Sequence, residues 1–210
     1  MGVSDSSKKP DDAEAWYNKG VALAKLGRFE EAVEAFEKAL ELDPDDAEAG
    51  FNKGVALAIL GRTEEALEAF EKTLELDPDD AEAWCNKGVA LGYLGRYEEA
   101  LEASEKAIEL KPDYAEEAWF NKGVALAILG RTEEALEAFE KAIELKPDYA
   151  EAWCNKTCAL ISLKSDKEGI KESLKKAVEL DREFLSWIET DSDFDSVRDE
   201  EWFIDFVKSL

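Results

Sequence analysis

The phrase Asn-Lys-Gly-Val-Ala-Leu begins at Asn18, Asn52, Asn86 and Asn121, and a decayed copy, Asn-Lys-Thr-Cys-Ala-Leu, begins at Asn155. The steps between them are 34, 34, 35 and 34 residues. No other feature constrains the fold as much. A unit this short cannot bury its apolar residues alone, so it must stack on copies of itself. Glu-Glu-Ala-(Val/Leu)-Glu-Ala follows the first four phrases after a Leu-Gly-Arg break, and Glu-Leu-(Asp/Lys)-Pro-Asp closes those units at Pro44, Pro78, Pro112 and Pro147. The fifth unit ends at Glu179, Leu180 and Asp181, with Arg182 in place of Pro.

Each unit reads as two helices. In the first, Ala15, Trp16, Lys19, Gly20, Leu23 and Leu26 form one stripe at helical spacing, and Ala32, Val33, Phe36, Ala39, Leu40 and Leu42 form the second. Gly27 sits where a helix ends in a left-handed residue, and Pro44 follows the second helix. Asp45 with Glu48, and Asp79 with Glu82, have the spacing of a charged capping box for the next unit. The expected fold class is all-α, a solenoid of stacked helix-turn-helix units with low contact order.

Trp16, Gly20, Ala32, Phe36, Ala39 and Pro44, at these spacings, resemble the tetratricopeptide repeat. The resemblance covers residues 13 to about 184 and implies a right-handed α-solenoid of five repeats: 13–46, 47–80, 81–114, 115–149 and 150–184. Residues 1–12 are expected to be a disordered arm, and 185–210 amphipathic capping helices over the last repeat. Departures from the family pattern stand out. Lys19, Lys53, Lys87, Lys122 and Lys156 replace an apolar residue, Gly50 replaces Trp, Thr73 replaces Ala and Ser104 replaces Phe. Trading a buried Trp for Gly costs about 3–5 kcal/mol for lost packing and about 1 more for helix propensity, so the second repeat should be weakest unless a neighbour fills the gap. Residues 47–87 and 116–156 agree at 35 of 41 positions, which fits duplication of a two-repeat block or consensus engineering equally well. The extra residue at Glu116 and Glu117 would turn an apolar stripe by about 100° inside a helix, so the preceding turn should absorb it.

Composition excludes several functions. With 26 Lys plus Arg against 51 Asp plus Glu, the chain carries a formal charge of −25, which argues against nucleic acid and against an anionic membrane surface. There is no His, hence neither the usual general base nor the commonest metal ligand. No apolar run is long enough to span a membrane, the N-terminus has no signal-peptide core, and Cys85, Cys154 and Cys158 do not make a disulfide framework. A reduced, cytoplasmic setting is the default expectation. Paired carboxylates occur in every unit and none stands out as an acid and base, so no catalytic residue, cofactor or metal is expected and the chain reads as a non-enzyme. Asp191, Asp193 and Asp195 alternate as in a calcium loop, but Ser196 and Trp202 occupy the places that need Gly and Glu, which favours a helix-capping turn.

The resemblance places ligand peptides along a concave surface lined by first helices. On that implication Tyr17, Phe51, Cys85, Phe120 and Cys154 face inward, with Val21, Val55, Val89, Val124 and Cys158 one turn on. A further turn on come Ala24, Ala58, Gly92, Ala127 and Ile161. Beside them runs a row made of every Asn in the chain: Asn18, Asn52, Asn86, Asn121 and Asn155. A carboxamide has the donor and acceptor of a peptide unit, so such a row can grip an extended chain by its backbone. The alternative is an Asn kept for the repeat's own structure. Glu14, Glu48, Glu82, Glu117 and Glu151 flank the row and would select basic residues in a protein or peptide ligand with apolar anchors. The family's basic clamp for a C-terminal carboxylate finds no match, because Tyr17, Val21, Glu82 and Asn86 stand at its positions and Asn52 alone agrees. The competing expectation is head-to-tail self-assembly into homo-oligomers through an uncapped first repeat.

Overall fold

The computed structural model describes residues 12–112 and 115–210. Among them all regular structure is helical: α1 (Ala13–Lys25), α2 (Phe29–Leu42), α3 (Ala47–Ile59), α4 (Thr63–Leu76), α5 (Ala81–Tyr93), α6 (Tyr97–Leu110), α7 (Glu116–Ile128), α8 (Thr132–Leu145), α9 (Ala150–Ser162), α10 (Lys167–Leu180), α11 (Phe184–Thr190) and α12 (Glu201–Val207). A short 3-10 helix covers Ser192–Phe194. The chain forms two compact units, one ending at Gly95 and the other beginning at Arg96. The first holds α1 to α5 and the second α6 to α12, and in each the helices stack as antiparallel pairs of the repeat. The expected N-terminal arm lies outside the described residues except for Asp12, whose side chain accepts from the Glu14 amide and caps α1.

Helix boundaries follow local chemistry with one correction. The caps of α3 and α5 are Asp46 and Asp80, one residue later than the capping box placed them. Asp46 accepts from the Ala49 amide at 2.9 Å, and Asp80 accepts from the Glu82 and Ala83 amides. Asp45 and Asp79 instead donate their amides to Asp43 and Asp77, forming the turn that leads into the cap. Gly27, Gly61, Gly95 and Gly130 end the first helices with φ between 72° and 76°, and in the fifth repeat Lys164 takes that left-handed place at 53°. Helix α7 runs from Glu116 and has 13 residues like the other first helices, so Glu116 and Glu117 both fall inside it, the extra residue is taken up before the helix, and the apolar stripe keeps its spacing.

In the first, second and fourth repeats the core is a glycine meeting a phenylalanine. A Cβ on Gly20, Gly54 or Gly123 would lie 2.5–2.6 Å from a ring carbon of Phe36, Phe70 or Phe139. Those three rings are almost fully buried. In the fifth repeat both partners change together: Thr157 replaces the Gly and the fully buried Leu174 the Phe, while Thr157 Oγ1 hydrogen-bonds the neighbouring Ser173 Oγ at 2.9 Å. The second repeat shows the same logic. A Cβ on Gly50 would meet Thr73 Oγ1 at 3.0 Å, while repeats that keep the Trp carry Ala39, Ala107, Ala142 or Ala177 at the Thr73 position. The Gly50 and Thr73 departures are thus one contacting pair, whereas Ser104 of the third repeat turns its hydroxyl back to the Ala100 carbonyl at 2.8 Å.

The lysine row also finds its reason. Lys53, Lys87, Lys122 and Lys156 reach back to Glu37, Glu71, Glu105 and Glu140 on the preceding second helix, at 2.8–3.2 Å. Lys87, Lys122 and Lys156 also lie 5.2–5.4 Å from the ring centres of Trp84, Trp119 and Trp153. Each lysine therefore joins neighbouring repeats, for about 0.5–1 kcal/mol per contact.

Residues after the fifth repeat close over its apolar face. Phe184, Ile188, Phe194 and Phe203 are buried with Cys154, Ile161, Ile170 and Leu174 in one cluster. Arg198 holds this segment together by donating to the carbonyls of Ile188 and Asp191 and pairing with Asp195. Asp191 caps the 3-10 helix through the Asp193 amide, so that turn is a capping device.

Candidate functional site

The first helices present the predicted rows on half-buried or exposed faces. Tyr17, Phe51 and Phe120 are half-buried, each about 6 Å centre to centre from the buried phenylalanine of its own repeat. One turn on, Val21, Val55 and Val124 are half-buried and Val89 is exposed. All five flanking residues, Glu14, Glu48, Glu82, Glu117 and Glu151, are exposed. The fifth repeat differs. Cys154 and Ile161 lie in the core beneath the C-terminal segment, so they do not line an open face. Asn155 and Cys158 instead border a cleft of about 400 Å³ closed on its far side by Ser192, Asp193 and Ser196.

Three of the asparagines are anchored to their own helices. In Asn52, Asn86 and Asn155 the Nδ2 donates to the carbonyl one helical turn back, on Glu48, Glu82 and Glu151, at 2.9 Å each time. One of the two Nδ2 hydrogens is therefore spent inside the helix. The Oδ1 acceptors of these three make no hydrogen bond among the described residues, so the row offers acceptors for N–H groups. Asn18, on the first repeat, is exposed.

Between the first two repeats the row gains a polar cluster. The Tyr17 hydroxyl donates to Glu48, and Asn52 Nδ2 approaches the same hydroxyl at 3.5 Å. Burial, then the hydrogen bond and charge of Glu48, push the Tyr17 pKa up to about 12. A phenol raised this way stabilises the fold below its unfolded pKa of about 10. That contribution is lost as pH rises through about 12. An ultraviolet titration of phenolate should show a late step near pH 12 that Tyr17→Phe removes.

Cys158 is held as a thiol. Cys158 is pushed strongly upward by its hydrogen bond to Cys154, by burial and by the Asp193 and Asp191 carboxylates, which keeps it protonated. No group of three or more acidic, Cys or His side chains could hold a metal among the described residues, and no described helix is long and apolar enough to cross a membrane. Sequence reading missed one surface feature: Ile59, Tyr93 and Ile128, each the last residue of a first helix, are exposed by 53–82 %. Their equal place in the repeat was the available signal.

Family models for the tetratricopeptide repeat match residues 13–46, 81–114 and 116–149, and again 35–68, while a TPR-repeat model matches 54–95. The chain belongs to the tetratricopeptide repeat family. Solved structures of the family agree. A MamA fragment from Desulfovibrio magneticus RS-1 is 26 % identical with TM-score 0.75, over 87 % of this chain and 98 % of that one. A MamA double mutant from RS-1 is 27 % identical with TM-score 0.75, over 84 % and 98 %. YrrB, described as a TPR protein with an unusual peptide-binding site, is 28 % identical with TM-score 0.71, over 85 % and 91 %. No curated protein matches the sequence. Tetratricopeptide repeats generally serve as non-catalytic scaffolds for protein partners, and the fold described above is that α-solenoid type.

Proposed function

We propose that the chain is a non-catalytic peptide-binding scaffold whose first-helix faces hold an extended segment of a partner protein. The observation that carries this reading is the state of the asparagines. With each Nδ2 tied to its own helix, the Oδ1 is left as an oriented acceptor, and the spacing repeats from α3 to α5 within one unit. An extended ligand supplies backbone N–H donors to such a row whatever its side chains. Phe51 and Val55 offer half-buried apolar surface for its anchors, and the exposed Glu48 and Glu82 favour basic residues beside them. The likeness to YrrB, a TPR protein described as having an unusual peptide-binding site, supports the same reading.

Complementary charge acts chiefly on encounter and partner choice, and salt screens it over about 8–10 Å. In a peptide library, basic peptides with apolar anchors should bind better than acidic ones at low salt, and the advantage should shrink as salt rises. Equal binding of acidic peptides would remove the role given to the Glu row.

A further inference from the structure

Where the second repeat lacks its tryptophan, the structure leaves an open cleft. It lies between α2 and α4, and Gly50 of α3 forms its base with Leu40 and Ala69. Its volume is about 420 Å³. The equivalent cleft of the fifth repeat, between α8 and α10, is lined by Trp153 and measures only about 230 Å³. The residues bordering this cleft are separate from the Asn row, because Asn52 is not among them.

The cleft keeps the fittings that hold an indole elsewhere in the chain. In the first repeat Lys19 and Lys38 lie over the Trp16 ring, 4.5 and 4.6 Å from its centre. Their counterparts in the second repeat are Lys53 and Lys72, and both border the vacant space. Lys53 is held in place by Glu37 at 2.9 Å. In the third and fifth repeats the indole N–H donates to the carbonyl six residues earlier, on Pro78 and Pro147. Pro44 holds that position before Gly50. At the rim stand Glu41 and Glu68, which have no ion-pair partner among the described residues.

We propose that this cleft is a receptor for the tryptophan side chain of a partner protein segment in which basic residues flank the tryptophan. The ring takes the place of the missing Trp, between the ammonium groups of Lys53 and Lys72, and stacks by cation–π attraction. The flanking basic residues meet Glu41 and Glu68. Thr73 belongs to the same design, since its hydroxyl occupies the space a Cβ at Gly50 would need and so keeps the chain from filling its own cleft.

The test uses the full chain and a Lys-Trp-Lys peptide with blocked ends, followed by amide chemical shifts. The peptide should move the resonances of Gly50, Lys53 and Lys72, and the matched Lys-Ala-Lys peptide should not. The double variant Gly50→Trp with Thr73→Ala fills the cleft with the chain's own indole and should weaken binding by about tenfold or more. Asn52→Ala with Asn86→Ala should leave this binding unchanged, which separates the cleft from the Asn row. Equal shifts with the Trp and Ala peptides would overturn the proposal without any variant, as would equal affinity in the cleft-filled double variant.

Discussion

Replacing Phe70 with alanine should lower stability by about 3–5 kcal/mol, the cost of removing a large ring from a core that cannot collapse around the hole. The ring is fully buried and shares its cluster with Val33, Ala56, Leu57 and Ala66, which come from three helices, α2, α3 and α4. It also presses on the bare backbone of Gly54, where no side chain can swing in to fill the space. Because each repeat touches only its neighbours, the damage should spread to α2 and α5 before it reaches distant repeats. Hydrogen exchange resolved by residue checks this: α3 and α4 should lose protection first. A loss under about 1 kcal/mol would mean that the ring is not the keystone of the repeat.

The second large effect is a rescue. Leu174→Phe alone puts a ring against Thr157, where the geometry at Gly123 and Phe139 leaves no room for a Cβ. Overpacking of this kind costs about 1–3 kcal/mol. Adding Thr157→Gly restores the Gly–Phe pair of the first, second and fourth repeats and should recover most of that loss. The expected coupling is about 2 kcal/mol, read from denaturant melts of the two single variants and the double. Additive effects would show that the two positions are not one structural unit.

How far the sequence led depends on which residues are considered. Period, helix count and stripe identity could be read directly, because Trp16, Gly20, Phe36 and Gly27 each act within one repeat. The lysine row could be seen but not explained. Lys53 and its equivalents answer to a glutamate on the previous repeat, and that pairing exists only once helices stack. The same holds for Gly50 with Thr73, which looked like separate blemishes until contact joined them. The cap position was off by one because Asp45 and Asp46 are both good cap residues, and which one takes the role is set by the turn at Asp43. For the Asn row, residue type and spacing could be read. The state of the donor could not, because a mid-helix Asn can bond backward or outward and only the folded rotamer decides.

That rotamer makes the central claim sharp. If the row grips a ligand backbone through acceptors held in place by the backward Nδ2 bond, alanine cannot replace asparagine. The direct measurement compares Asn52→Ala with Asn86→Ala against the wild type, using the tightest basic peptide from the library. The alanine pair should weaken binding about thirtyfold, from two lost hydrogen bonds of about 1 kcal/mol each, with the helices intact by circular dichroism. Unchanged affinity in the alanine pair would contradict the account.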